Sequence, residues 1–382
     1  MRVLLLIVAI VAAVVVTGMT RLPVAGDEVP ATLSQISTPS AETATSQHEE
    51  PGEPRAPEPP RQATVSPIRV TLINGPTNEP PPPGSPTKWP IVPSGDGTVA
   101  VFGAMLGTST TLHVIDQAAA EERPVANLHA GSLEARTVSY AGSLVALGEP
   151  LADGATIYAP GPRDTTTLVV YEVGSESALQ YDIPANVEPE AFSTDGTRLF
   201  VIDHRPANNP EKYRVAFLDL KTGELGEVLG PDKEPLDEDM AGIGRRQLLA
   251  PGGDRLYTLY TRQDGVGEHG HQGFVHVLFL VDGFAVCVDL PDGFGQGEVG
   301  TSDIVLNAIG TRMAVIDTHA GAIALLNTRA PGPIGVEVTE VLPIPQEWRD
   351  AEVGLKAMDD DGFYVIIGKT GFEWRPAEPA GG

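Results

Sequence analysis

The residues of this chain best suited to chemistry lie in one glycine-rich segment, Asp264-Gly265-Val266-Gly267-Glu268-His269-Gly270-His271-Gln272-Gly273. His269 and His271 stand two apart, so in an extended backbone they project to one side, and Glu268 adjoins them. Imidazole beside carboxylate suits Zn²⁺ or a similar divalent ion, which makes Glu268, His269 and His271 the candidate metal ligands. The surrounding glycines leave the backbone unfixed, and a solvated loop is the competing reading.

Other chemistry-bearing residues read more plainly. Asp359-Asp360-Asp361-Gly362 misses the D-x-D-x-D-G spacing of a calcium loop and is expected to be a turn. The acidic stretch 231–239 reads as a solvated connection. His276 lies in an apolar run and is expected to be an interior, hydrogen-bonded histidine. Cys287 is the sole cysteine, so no intrachain disulfide can form, and its run Phe284-Ala285-Val286-Cys287-Val288-Asp289-Leu290 predicts a buried, inert thiol. The sequence holds no Gly-x-Ser-x-Gly elbow, phosphate-binding loop, Cys-x-x-Cys or His-Glu-x-x-His. No catalytic and no cofactor-binding residues are assigned on this basis.

Charge narrows the partners. The 51 acidic residues against 25 basic ones give a net charge of −26. A chain this acidic repels phosphate backbones, which excludes nucleic acid.

The N-terminus sets the expected compartment. Val3 to Val16 is uninterruptedly apolar, and the uncharged stretch continues to Arg21. Arg2 precedes it, so the positive-inside rule places the remainder on the extracytoplasmic side. Residues 1–21 are therefore expected to be a membrane anchor, or a signal segment whose removal would release a secreted protein. Residues 22–66 are rich in Ser, Thr and Pro and include Pro51-Gly52-Glu53-Pro54-Arg55-Ala56-Pro57-Glu58-Pro59-Pro60. Such a composition buries too little apolar surface to fold, and it predicts a disordered stalk. Within 67–74, Ile68–Ile73 alternates as a strand would, and 75–89 returns to linker composition.

Beyond Trp89 a pattern recurs: a turn with Gly, then an apolar strand. It reads Ser94-Gly95-Asp96-Gly97-Thr98-Val99-Ala100-Val101-Phe102, then Ser193-Thr194-Asp195-Gly196-Thr197-Arg198-Leu199-Phe200-Val201. Further copies stand at Pro251-Gly252-Gly253-Asp254-Arg255-Leu256-Tyr257 and Ala308-Ile309-Gly310-Thr311-Arg312-Met313-Ala314, with weaker ones at Gly142 and Gly362. The six glycine marks stand 45 to 57 residues apart. After most marks a second strand follows, as in Leu112–Asp116, Leu168–Glu172 and Val215–Leu220, and then a turn such as Lys221-Thr222-Gly223. One turn, three or four strands and another turn, repeated at this spacing, make the unit of a β-propeller blade.

The Ser-x-Asp-Gly turn, the strand ending in Asp and the Thr-Gly turn resemble the YVTN/WD40-like bacterial propeller repeats over roughly residues 90–376. More loosely, the whole chain resembles exported, membrane-anchored actinobacterial propeller proteins. The resemblance implies an all-β propeller at 67–376, with six blades by the glycine marks and seven as the alternative. It is nearly silent on function. The last blade has room for only three strands, so Ile68–Ile73 is expected to complete it and close the ring; residues 377–382 form a tail. The expected function is a membrane-tethered, extracytoplasmic binding, scaffold or sensing module without catalysis, presenting a protein or small-molecule ligand site on one propeller face. The alternative is a metal-assisted, lactonase-like hydrolase with its site in the propeller mouth.

Overall fold

Five of the six repeat glycines take positive φ, at 69° for Gly97, 74° for Gly142, 70° for Gly196, 69° for Gly253 and 67° for Gly310. These angles come from a computed structural model, which describes residues 68–73, 87–88, 90–106, 109–128, 131–175, 177–232, 234, 239–261, 273–332, 334–357 and 362–375. The anchor, stalk and tail expected at 1–21, 22–66 and 377–382 lie outside the described residues. Among the described residues no helix is long and apolar enough to cross a membrane.

The chain is all-β. β1 (Arg69–Ile73) comes first in sequence. The first sheet holds β2 (Thr87–Lys88), β3 (Val92–Pro93), β4 (Val99–Leu106), β5 (Ser109–Asp116) and β6 (Glu121–Leu128), with β2 and β3 both pairing β4. The second holds β7 (Glu134–Val138), β8 (Leu144–Gly148), β9 (Thr166–Glu172) and β10 (Ser177–Ile183). The third holds β11 (Asn186–Phe192), β12 (Arg198–Arg205), β13 (Lys212–Asp219) and β14 (Leu225–Glu227). The fourth holds β15 (Ile243–Leu249), β16 (Arg255–Thr261), β17 (Gly273–Phe279) and β18 (Phe284–Asp289). The fifth holds β19 (Ser302–Leu306), β20 (Arg312–Asp317), β21 (Ala322–Asn327) and β22 (Glu337–Pro343). A 3₁₀ turn at Gln346–Trp348 leads to the sixth, which holds β23 (Val353–Ala357), β24 (Phe363–Ile367) and β25 (Thr370–Trp374). From the second sheet to the sixth, consecutive strands pair antiparallel in chain order, so each is a meander.

In the first, third and fifth sheets the turn that opens the repeat is built by its own side chains. Ser94 Oγ donates to Asp96 Oδ1 at 2.7 Å, and that oxygen accepts the Thr98 amide at 2.9 Å. Ser193 and Asp195 repeat this at 2.7 and 3.0 Å. In the fifth sheet Asn307 Oδ1 does the work alone, accepting the Thr311 and Arg312 amides at 2.8 and 3.0 Å. The acid ending the third strand serves the next turn: Asp219 Oδ1 accepts from the Lys221 and Thr222 amides.

Core strands are apolar at successive positions because both faces are covered. On β16, Tyr257 and Leu259 enter the cluster shared with the fifth sheet, while Leu256 and Tyr260 enter the one shared with the third. On β20, Met313 and Val315 face the fourth sheet, and Ala314 and Ile316 the sixth. Period-two alternation thus feeds two cores from one strand. Five buried clusters fill the five spaces between consecutive sheets, first to sixth. Successive meanders stacked face to face in chain order are consistent with a propeller.

One expected pairing is corrected. Ile68–Ile73 does contain a strand, but β1 pairs antiparallel with β10 as the fifth strand of the second sheet. The sixth sheet has three strands among the described residues. The register sets Arg69 opposite Asp182 and Val70 opposite Tyr181, and Val70 also packs over Gly223, where a Cβ would lie 2.4 Å from its Cγ2. β10 offers this strand a charge-matched edge, and Gly223 of the neighbouring turn leaves room for Val70.

Candidate functional site

The first strands of the sheets stand next to one another. β4 and β3 contact β7, β7 contacts β11, β15 contacts β19 and β19 contacts β23. Polar side chains join them in sequence. Arg136 Nε on β7 donates to Glu188 Oε2 on β11 at 3.1 Å. Gln247 Nε2 on β15 donates to Glu190 Oε1 on β11 at 3.0 Å. Arg246 on β15 reaches both oxygens of Asp303 on β19, at 3.0 and 2.8 Å, and Asp303 accepts the Leu355 amide of β23 at 2.6 Å. Five consecutive first strands are tied by side chains as well as by their cores.

Register brings three of these groups to one level. Arg136, Glu190 and Gln247 each stand three residues before the first turn residue, Ser139, Ser193 and Ala250. The pairing of β7 with β8 shifts between Ala135 and Thr137, and that of β11 with β12 between Pro189 and Ala191. These bulges fall at Arg136 and Glu190 and re-aim both side chains.

A cavity of about 340 Å³ opens where the first strands of the first four sheets converge. Arg136, Glu190 and Gln247 line it together with Val138, Phe192, Leu249, Leu256 and Leu280. Tyr140 stands at its edge and donates its hydroxyl to the Pro251 carbonyl at 2.5 Å, linking the turns of the second and fourth sheets.

The two acids of β11 meet different fates. Glu188 is buried between Arg136 and Arg163, so it is fully paired. Glu190 is 3% exposed; its Oε1 accepts from Gln247 and, at 3.5 Å, from Thr258, but Oε2 has no hydrogen-bond partner. Burial pushes Glu190 up to about 7 against the pull of those two bonds. Burial raises the phenols of Tyr158 and Tyr260 well above the usual phenol value, with the Glu190 charge adding to both and Tyr213 to Tyr260.

Glu268, His269 and His271 lie outside the described residues, in the connection from β16 to β17. Asp359, Asp360 and Asp361 lie outside them too. Among the described residues no group of three or more His, Cys, Asp or Glu side chains is placed to hold a metal ion.

Two expectations about single residues are corrected. His276 is fully buried, but neither ring nitrogen has a hydrogen-bond partner, and burial drives the imidazole down to about 4. Strand pairing satisfies its backbone, while Tyr260 meets its ring near-perpendicular at 6.2 Å without a hydrogen bond to either nitrogen. Cys287 is exposed. β18 is the outermost strand of its sheet, and alternation takes Val286 and Val288 into the core and turns Cys287 outward.

No protein-family model and no curated protein matches the chain. Solved structures do resemble it. The β-propeller domain of the Trilobed protease from Pyrococcus furiosus is 10% identical over 76% of this chain and 83% of that one, with a TM-score of 0.41. The Cps50 (Swd1) β-propeller domain of Myceliophteria thermophila is 9% identical over 80% and 86%, also at 0.41. TolB from Acinetobacter baumannii is 9% identical over 69% of this chain, at 0.37, and the match spans 56% of that protein. With TM-scores below 0.5, these likenesses add nothing on function, and the fold rests on the chain's own sheets and clusters.

Proposed function

We propose that this chain is a membrane-tethered, extracytoplasmic β-propeller of six blades that acts as a binding, scaffold or sensing module rather than an enzyme. One observation carries the binding part: the cavity between the first four sheets. Its volume lies at the lower end of small-molecule sites, and its walls are mostly apolar with a few convergent polar groups. Neighbouring pairs bind most of those polar groups, which suits a pre-formed recognition surface. The tether rests on the apolar run Val3 to Val16 behind Arg2. No observation favours the hydrolase alternative, whose ligands would be Glu268, His269 and His271.

The binding reading is tested by a fragment screen with ligand-observed NMR on the full chain in detergent. Hits should compete for one site and weaken in Ala191→Leu, which narrows the cavity at a lining residue. Hits that never compete, or that bind the variant equally, contradict it. The tether is tested separately, by C-terminal fusion to alkaline phosphatase, which is active only after export. A silent fusion contradicts the extracytoplasmic placement.

A further inference from the structure

We infer that the cavity between the first four sheets recognises a small organic monocation, an alkyl- or arylammonium, through the carboxyl of Glu190. This rests on the binding reading above and names the ligand class of that same site.

Arg136 and Glu190 are the charged residues of the cavity lining, and the network they belong to is one cation short whenever Glu190 is ionised: the carboxylates of Glu134, Glu188 and Glu190 meet the guanidiniums of Arg136 and Arg163. Glu134 and Arg136 come from β7, and Glu188 and Glu190 from β11. Arg163 and Tyr158 come from the segment between β8 and β9, Tyr213 from β13, Gln247 from β15, and Thr258 and Tyr260 from β16. Arg136 pairs with Glu134 and Glu188, and Arg163 with Glu188. Arg163 is held further by Asn186 Oδ1 at 2.7 Å and the Val187 carbonyl at 3.1 Å. Both guanidiniums are thereby committed, and Glu190 receives only the neutral donors Gln247 and Thr258. Its Oε2 is buried without a partner, the state in which a polar atom costs most.

The missing group is a donor with a positive charge. An ammonium supplies up to three N–H donors and the charge together. An anion would oppose ionisation of the carboxyl, and a neutral ligand would leave the ionised carboxylate unmatched, so a cation is the ligand that gains most as Glu190 loses its proton. Val138, Phe192, Leu249, Leu256 and Leu280 provide apolar wall for the hydrocarbon part. About 340 Å³ accommodates one ring or a short chain, not a folded peptide. Since burial holds Glu190 near neutrality, a bound cation would fix it as the carboxylate.

The test is calorimetric titration of the full chain in detergent with benzylammonium and with benzyl alcohol, its neutral counterpart. The expected result is one site that takes benzylammonium at least about tenfold more tightly than the alcohol. Its affinity should rise about tenfold from pH 6 to pH 8, following ionisation of Glu190. Glu190→Gln should lose that preference and the pH dependence while still binding the alcohol. The comparison of amine with alcohol and the pH series use the unaltered chain, so the inference is tested even where the variant fails to fold. Equal binding of amine and alcohol, a flat pH profile, or no benzylammonium binding overturns it. Fragment hits that weaken in Ala191→Leu would then leave the binding reading standing, whereas their absence would remove both.

Discussion

Gln247 Nε2 donates to Glu190 Oε1 across 3.0 Å, joining the first strand of the fourth sheet to that of the third. The bond fixes one carboxyl oxygen and leaves the other, Oε2, buried and unpartnered. The cavity lining and a local instability therefore share one residue.

That instability has a definite pH signature. Glu190 is raised from 4.5 to about 7, so between those values the folded chain keeps a proton that the unfolded chain has lost. Its contribution to stability therefore falls as pH climbs from about 4.5 to about 7, by an amount on the order of 3 kcal/mol at most. Glu190→Gln should melt above the natural chain at pH 8, and the gap should close as pH approaches 4.5. A gap that is independent of pH in calorimetric scans would contradict the burial of this carboxyl.

His276 behaves in the opposite sense. Its imidazole is held down from 6.5 to about 4, so the unfolded chain binds the proton first. Stability present above pH 6.5 is lost as pH falls towards about 4. His276→Leu should flatten this acid limb and add about 1 kcal/mol at pH 7 by removing two unpartnered buried nitrogens. An unchanged acid limb in thermal melts from pH 7 to 4 would refute it.

The strand pairing gives a spatially resolved prediction. Deleting residues 1–76 removes β1 and opens one edge of β10, whereas deleting 1–61 leaves β1 in place. Amide exchange should rise along Ser177–Ile183 in the longer deletion and stay unchanged in Phe363–Ile367 and Thr370–Trp374. Faster exchange in those last strands instead would restore the closing role the sequence suggested.

The repeat glycines separate two costs. Gly97 has φ 69° with nothing within 4 Å of an added Cβ, so Gly97→Ala should cost about 1 kcal/mol of backbone strain alone. At Gly142, with φ 74°, the added Cβ would lie 2.1 Å from Val99 Cγ2, and Gly142→Ala should cost clearly more. Equal midpoints for the two variants in urea would contradict this ordering.

The repeat was legible because turns are local. Asp96 and Asp195 bond residues two positions away, and Gly97 and Gly196 need only their own φ, so a short window of sequence carries both. The existence of β1 was legible from alternation, but its partner was not, since alternation marks a strand without naming the edge it joins. Cys287 was misplaced because its run is apolar throughout, while its exposure depends on β18 being outermost. Glu190 left almost no trace. Glu188-Pro189-Glu190 has the composition of a solvated loop, and the burial comes from β7 and β15, distant in sequence. The faint signal was positional: Arg136, Glu190 and Gln247 share one offset before successive turns.

The most direct test is a carboxyl ¹³C titration of Glu190 by NMR, assigned by comparison with Glu190→Gln and run with and without benzylammonium. A midpoint near 7 in the unliganded chain that moves to lower pH when benzylammonium is added is the predicted result. A midpoint in the ordinary carboxylate range that does not respond to the amine would contradict both the buried carboxyl and the site built around it.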